Sequence, residues 1–137
     1  MNCITIYQPW AMMIATGDKT IETRTHGGFY KLKGQRIGIH AGKHDIESAE
    51  DLLAEDFERH PEYAQYRGRA KELFGVILAT AFVADHRRLV RADGKAAQCS
   101  IEQGLWGLVL ADVKQIHPPF KINGQRGIWT AELEGKA

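Results

Sequence analysis

The sequence predicts a single α+β domain over residues 1–137, with about six strands and flanking helices. The chain is 44% hydrophobic and 26% charged, which provides enough apolar material for one core in 137 residues. Several short segments alternate apolar and polar side chains or are rich in β-branched residues, as strands are. Two other segments, after Pro9 and after Asp45, repeat apolar residues at helical spacing.

The strand segments are separated by turn signals and charged residues. Gly75 inside a long apolar segment predicts a bulge or a bend. The pair Pro118-Pro119 predicts the end of regular structure, because proline has no N–H to donate to a ladder. The predicted strands are Cys3–Tyr7, Thr20–Thr25, Arg36–His40, Leu73–Ala84, Trp106–Val113 and Gly127–Leu133.

Two helices and one irregular region complete the prediction. The first helix begins at Pro9, ends at Gly17 and is expected to direct Trp10, Met13 and Ile14 toward the core, although Trp10 is also a candidate for ligand stacking. The second helix starts near Asp45 and is strongly acidic, so we expect a solvated outer face. Asp85–Ile101 is polar, basic at its start and poor in apolar anchors, and we expect a mobile excursion there.

The central feature of the chain is a short charged segment that enters the second strand. Glu22 and Arg24 are two residues apart and therefore point to the same face of that strand, while Lys19 enters from the preceding turn. These three charges fit either an ordinary surface ion pair or a functional site. We expect an open, hydrated cluster, in which the substitution Glu22→Gln costs less than about 1 kcal/mol of stability.

This segment and its neighbours resemble the ASCH domain, a family with a PUA-like β-barrel. The resemblance rests on Gly17-x-Lys19-x-x-Glu22-x-Arg24, preceded by Gln8-Pro9-Trp10-Ala11 and followed by Ile39-His40-Ala41-Gly42-Lys43. The resemblance extends from about Ile4 to Trp129 and implies a PUA-like α+β barrel. In such a barrel His40 borders the same cleft as the charged residues Lys19, Glu22 and Arg24. Trp106 lies in a strand similar to the family's late tryptophan-bearing strand.

The combination of cations and aromatic rings favours recognition of single-stranded RNA or a nucleotide-like ligand. The net charge of +1 excludes a globally basic surface, so a local patch would carry the binding. We expect Arg24 and Lys43 to contact phosphate. The candidate ligand-binding residues are Trp10, Lys19, Glu22, Arg24, His40, Lys43 and Trp106.

Two alternatives remain open. The same cleft suits a hydrolase, either a ribonuclease or an amidohydrolase acting on an N4-acylated cytidine, with Lys19 and Glu22 as the catalytic residues. Small relatives of the ASCH domain hydrolyse N4-acetylcytidine with a lysine, a threonine three residues later and a distal glutamate. Lys19 matches that lysine, but Glu22 occupies the threonine position, and the distal glutamate has no clear match. The second alternative is a non-catalytic interaction domain whose charged cluster only stabilises the barrel.

The remaining residues suggest neither a metal nor a cofactor. Six histidines and two cysteines show no spacing typical of a zinc site, and the chain has no Gly-x-Ser-x-Gly elbow. Cys3 and Cys99 are far apart in sequence, and we expect free thiols in a reducing cytoplasm. Residues 1–17 lack the basic start of a signal peptide, and the apolar run Leu73–Ala84 is too short for a membrane span. The sequence does not predict an oligomeric state.

Overall fold

One six-stranded mixed sheet, flanked by short helices, organises the chain. The structure is a computed structural model and describes residues 1–133. The spatial order of the strands is β2-β5-β4-β3-β1-β6, with β1 and β3 parallel and the other neighbours antiparallel. The strands are β1 Asn2–Ile6, β2 Ile21–Arg24, β3 Arg36–Ala41, β4 Val76–Arg88, β5 Trp106–Lys121 and β6 Trp129–Thr130. The predicted α+β class with six strands is confirmed.

The first helix packs a different face against the sheet from the predicted one. Helix α1 spans Trp10–Thr16 and buries Ala11, Met12, Ile14 and Ala15. Trp10 is 42% exposed, so its predicted core position is wrong: the helix begins at this residue and holds its ring at the surface. The helix ends as predicted at Gly17, whose φ of 89° is the left-handed conformation that glycine adopts without steric cost.

The acidic helix buries the face that its apolar periodicity predicts. Helix α2 spans Ala49–Arg59 and follows a 3₁₀ turn over Ile46–Ser48. Ala49, Leu53 and Phe57 recur every four residues and are buried. Most acidic side chains face outward, but Asp56 is buried. After α2, 3₁₀ turns over Pro61–Tyr66 and Ala70–Leu73 pack Tyr63 and Tyr66 into the core.

The structure corrects two predictions of irregular chain. Strand β4 continues to Arg88, and the following segment forms a 3₁₀ turn over Arg91–Asp93 and a short helix α3 over Gly94–Ala97. The expected mobile excursion is wrong because Asp93 anchors the segment: its carboxylate accepts from the Arg87 guanidinium at 2.9 and 3.0 Å and from the Val90 backbone N–H at 2.8 Å.

The second correction concerns the double proline. Strand β5 continues through Pro118-Pro119 to Lys121 rather than ending before it. Between the pairs Ala79↔Gln115 and Ile77↔Phe120, the register shifts and β5 accommodates extra residues in a bulge. The prolines fall in this irregular stretch, where a missing N–H removes no ladder hydrogen bond.

Candidate functional site

A single large cleft, of about 810 Å³, collects most of the predicted site residues. Most of its lining comes from the end of β1, the entry and body of β2, the end of β3 and the loop that precedes β6, and Trp10, Phe29 and Cys99 complete it. Its predicted members are Trp10, Lys19, Glu22, Arg24, His40 and Lys43. The ends of β1 and β3 reach the same edge of the sheet because these two strands are parallel.

Lys19 lies at the bottom of the cleft and is only 2% exposed. Backbone hydrogen bonds hold its turn in place, from the Lys19 N–H to the Met13 carbonyl at 2.9 Å and from the Thr20 N–H to the Ala96 carbonyl at 2.8 Å. The Nζ atom donates to the Ala97 carbonyl of α3 and lies 3.7 Å from Glu22 Oε1. Burial lowers the pKa of Lys19, and the nearby Glu22 carboxylate opposes this shift.

Glu22 lies between two cations and is 7% exposed. Its second oxygen, Oε2, is 3.1 Å from Arg24 Nη2. Burial raises the pKa of Glu22, while Arg24 and Lys19 act in the opposite direction. The expectation of a hydrated cluster is therefore wrong for Lys19 and Glu22. The reason is α3, which the sequence analysis assigned to a mobile excursion and which covers the entry to β2.

Arg24 is the partly open member of the cluster, with a quarter of its side chain exposed. Its guanidinium lies over the Phe29 ring, with 4.7 Å from Cζ to the ring centroid. Among the described residues, the buried Nε atom of Arg24 has no hydrogen-bond partner. The contacts with Glu22 and Phe29 thus leave part of its donor capacity unused.

His40 lines the cleft as a buried residue that is only 2% exposed. Its Nε2 is 2.8 Å from the Ile122 carbonyl, which can only accept, so Nε2 carries the proton and Nδ1 accepts from the Thr5 hydroxyl at 3.2 Å. Burial lowers the pKa of His40, which favours this neutral form. Gly124 packs directly on the pair, since a Cβ there would lie 2.5 Å from His40 Cε1 and 2.7 Å from Thr5 Oγ1. His40 therefore fixes the loop before β6.

Two exposed aromatic rings border the opening of the cleft. Trp10 is 42% exposed and Tyr7 is 54% exposed. The Tyr7 ring is supported by His44, with 4.8 Å between the ring centroids. Lys43 lies at the same opening and donates to Asn123 Oδ1 at 3.3 Å. This opening is therefore lined by apolar rings and a cation.

Trp106 lies outside the cleft, unlike the other predicted residues. Its ring stacks on His86 at 5.0 Å with an interplanar angle of 8°, and the Arg88 guanidinium lies 4.6 Å from the ring centroid. The same indole lies against Gly27. These contacts give Trp106 a role in packing the strand ends.

Sequence reasoning missed several lining residues. Tyr7 was treated as a strand residue, although its position after the last paired residue of β1 directs it to the cleft. Cys99 enters the sequence analysis only as an expected free thiol, and the loop Asn123–Gly127 carries no pattern that predicts a site. The missed lining residues are Thr5, Ile6, Tyr7, Thr23, Phe29, Gly42, Cys99, Asn123, Gly124, Gln125, Arg126 and Gly127.

Within residues 1–133, no group of three or more His, Cys, Asp or Glu side chains is arranged to hold a metal ion. No helix in this same part of the chain is both long and apolar enough to cross a membrane.

Comparison with known proteins places this arrangement in a family. The model of the ASCH domain matches residues 4–119, which include every charged residue of the cleft except Arg126. The chain belongs to the ASCH domain family. No curated protein matches the ASCH sequence described here at a significant level.

Solved structures agree with the family at the level of the fold. The crystal structure of ASCH from Zymomonas mobilis superposes with a TM-score of 0.61 at 15% identity, covering 97% of this chain and 88% of the other. A single-substitution variant of that protein gives a TM-score of 0.56 at 16% identity, over 88% and 73% of the two chains. The ASCH domain described here therefore has the PUA-like α+β fold, although within residues 1–133 no hydrogen bonds join β2 to β6 to close the sheet.

Proposed function

We propose that this ASCH domain binds single-stranded RNA or a nucleotide-like ligand in the cleft. The observation that best supports the proposal is the pairing of exposed rings with cations on one concave surface. Tyr7, Trp10 and Lys43 border the opening, and Arg24 lines the same cleft. Unpaired bases stack on aromatic side chains, and phosphates are bound by arginine and lysine.

The size and the polar groups of the cleft fit such a ligand. A volume of about 810 Å³ lies within the range of roughly 300–1,000 Å³ that is typical of small-molecule pockets. Lys19 and Glu22 at the bottom provide one donor and one acceptor for a base edge or a ribose hydroxyl. The backbone groups of the loop Asn123–Gly127 border the other side.

Fluorescence anisotropy with a short single-stranded RNA tests the proposal. Trp10→Ala is expected to weaken binding by about tenfold, which corresponds to the loss of one stacked base. Tyr30→Ala is the matched control, because Tyr30 is 61% exposed and lies outside the cleft. Lys43→Gln is likewise compared with Lys71→Gln, an exposed lysine elsewhere. Absent RNA binding, or equal losses in the control variants, contradicts the proposal.

A hydrolase acting at the same cleft is the second candidate. It is supported by the opposite pKa shifts of two neighbouring groups, lowered for Lys19 and raised for Glu22, which move both toward their neutral forms. A neutral lysine amine can accept a proton, and a protonated carboxyl group can donate one. Both groups are close enough to the cleft to line it.

The test of this candidate is hydrolysis of N4-acetylcytidine and of single-stranded RNA. We expect slow or absent turnover of N4-acetylcytidine, because Glu22 stands where the active relatives have threonine. Robust turnover that disappears in Lys19→Ala would establish the hydrolase. Thr23, which also lines the cleft, would then be the first alternative nucleophile to replace by valine.

A further inference from the structure

A second, smaller pocket adjoins the cleft. It has a volume of about 340 Å³ and is lined by Thr23, Arg24, Thr25, His26, Phe29, Leu105 and Gly127. Four of these residues also line the cleft: Thr23, Arg24, Phe29 and Gly127. The two cavities are therefore neighbours that share a boundary, and a ligand longer than one nucleotide can extend from one into the other.

Arg24 forms the polar part of this boundary. Its Nη2 atom is held by Glu22 at 3.1 Å, whereas its buried Nε has no partner in the part of the chain that the structure describes. A phosphate oxygen within reach of Nε would give this atom an acceptor without replacing an existing partner at that atom. Arginine is well suited to this contact, because its planar fork binds two phosphate oxygens at once.

The chemistry of the adjoining pocket suits a base. The Phe29 ring and Leu105 provide apolar surface, and Thr23 and Thr25 provide hydroxyl groups. His26 accepts the Gly28 N–H at Nδ1, at 3.0 Å, so the neutral ring carries its proton on Nε2 as a donor. No carboxylate is among the described residues that line this pocket, and Glu22, which lines the neighbouring cleft, is paired with Arg24 at 3.1 Å.

We infer that the adjoining pocket is a second nucleotide subsite, so that the preferred ligand is an RNA segment of at least two nucleotides rather than a free nucleoside. One base stacks at Tyr7 and Trp10, the phosphodiester contacts Arg24, and the next base enters the adjoining pocket. This inference rests on the proposed function and narrows its ligand class.

Isothermal titration calorimetry can compare adenylyl-adenosine and uridylyl-uridine with AMP and UMP. We expect each dinucleotide to bind about tenfold more tightly than its mononucleotide, the gain of one further stacked base. The mononucleotides carry more negative charge than the dinucleotides, so this order cannot come from simple attraction to cations. Thr25→Trp fills the adjoining pocket and should reduce dinucleotide affinity about tenfold while leaving mononucleotide affinity unchanged.

A control variant and an NMR measurement separate the second subsite from non-specific effects. Val90→Trp is the matched control, because Val90 is 60% exposed and lines neither cavity. In NMR spectra of the wild-type protein, the dinucleotide should shift the resonances of His26 and Leu105 more than the mononucleotide does. If neither the dinucleotides nor the mononucleotides bind, the proposed function itself is contradicted. Equal affinities, an unaffected Thr25→Trp variant and unshifted His26 and Leu105 signals overturn the second subsite while leaving the proposed function intact.

Discussion

At the scale of single residues, Glu22 is a buried carboxylate that pairs with two cations. Its carboxylate lies 3.7 Å from Lys19 Nζ and 3.1 Å from Arg24 Nη2. A buried ion pair contributes little net stability by itself, but removing one partner leaves an uncompensated buried charge. The cluster is therefore both part of the fold and part of the cleft.

This position gives a prediction for Glu22→Gln. The variant leaves Lys19 and Arg24 without their anion, and we expect the free energy of unfolding to fall by about 3–5 kcal/mol. Lys19→Met should cost less, because Glu22 keeps its contact with Arg24 at 3.1 Å. Urea titrations of both variants provide the measurement. A cost below about 1 kcal/mol for Glu22→Gln would mean that water screens the cluster as it does a surface pair.

A second buried carboxylate, Asp56, makes stability depend on pH. It is 3% exposed, its Oδ1 lies 3.1 Å from Arg59 Nη2, and burial raises its pKa from 3.8 to about 6. The folded state thus favours the protonated form. As the pH rises from about 4 to about 6, the unfolded chain loses this proton first, and the free energy of unfolding declines.

Asp56→Asn should remove this decline, because an amide does not ionise. We expect the variant to equal the wild type near pH 4 and to exceed it by about 1–3 kcal/mol at pH 8. Urea titrations at the two pH values measure the difference. Glu58→Gln, at an exposed site on the same helix, is the control and should show no such gain. A constant difference between the two pH values would assign the effect to packing instead.

At the scale of elements, the loop Asn123–Gly127 is positioned by contacts from two central strands. Thr5 of β1 and His40 of β3 hydrogen-bond each other, and His40 donates to the Ile122 carbonyl at 2.8 Å. The Trp129 indole N–H also donates to the Thr5 hydroxyl at 3.1 Å. The loop is thus fixed at its start and just after its end.

Gly124→Ala should displace this loop. The added methyl group would lie within 2.7 Å of both the His40 ring and the Thr5 hydroxyl, closer than real contacts allow. We expect a loss of about 1–3 kcal/mol in stability and weaker RNA binding, read from thermal melts and anisotropy. Gln125→Ala changes an exposed neighbour in the same loop and should leave the stability nearly unchanged. Unaltered stability of Gly124→Ala would show that the loop tolerates a shift.

Local sequence patterns predicted the helices and strands better than they predicted which distant segments pack against them. The alternation in Arg36–His40 predicted β3, and the four-residue spacing in Ala49–Phe57 predicted α2. Both predictions succeeded because an element that buries one face repeats apolar residues at its own period. The same reasoning failed for Lys19 and Glu22. Their burial depends on α3, which is distant in sequence, and no periodicity within residues 17–25 records that contact.

At the scale of the whole molecule, the charge is nearly balanced, with a net value of +1. Ion pairs at the surface neutralise some of the cations, for example Arg36 with Asp112 and Arg69 with Glu72. The cleft contains three cations that are not fully buried, namely Arg24, Lys43 and Arg126. These three are the cations that a polyanion bound in the cleft can contact.

The affinity for single-stranded RNA should consequently depend only weakly on salt. One to three phosphate contacts predict a slope of about −0.7 to −2 in a plot of log K against log salt concentration. Anisotropy titrations at several ionic strengths measure this slope. A slope steeper than about −4 would require a larger basic surface than the cleft provides.

The position of β1 inside the sheet determines when the cleft can form. β1 lies between β3 and β6, and it pairs Asn2 with Thr130 and Cys3 with Trp129. Contacts between residues so distant in sequence form slowly, because closing the long intervening loop costs chain entropy before the contacts compensate for it. The loop Asn123–Gly127 directly precedes β6, so the pairing of β6 with β1 fixes the far end of this loop and completes its side of the cleft. During synthesis, a nascent chain that lacks β6 already contains Lys19, Glu22 and Arg24 but has no complete binding surface.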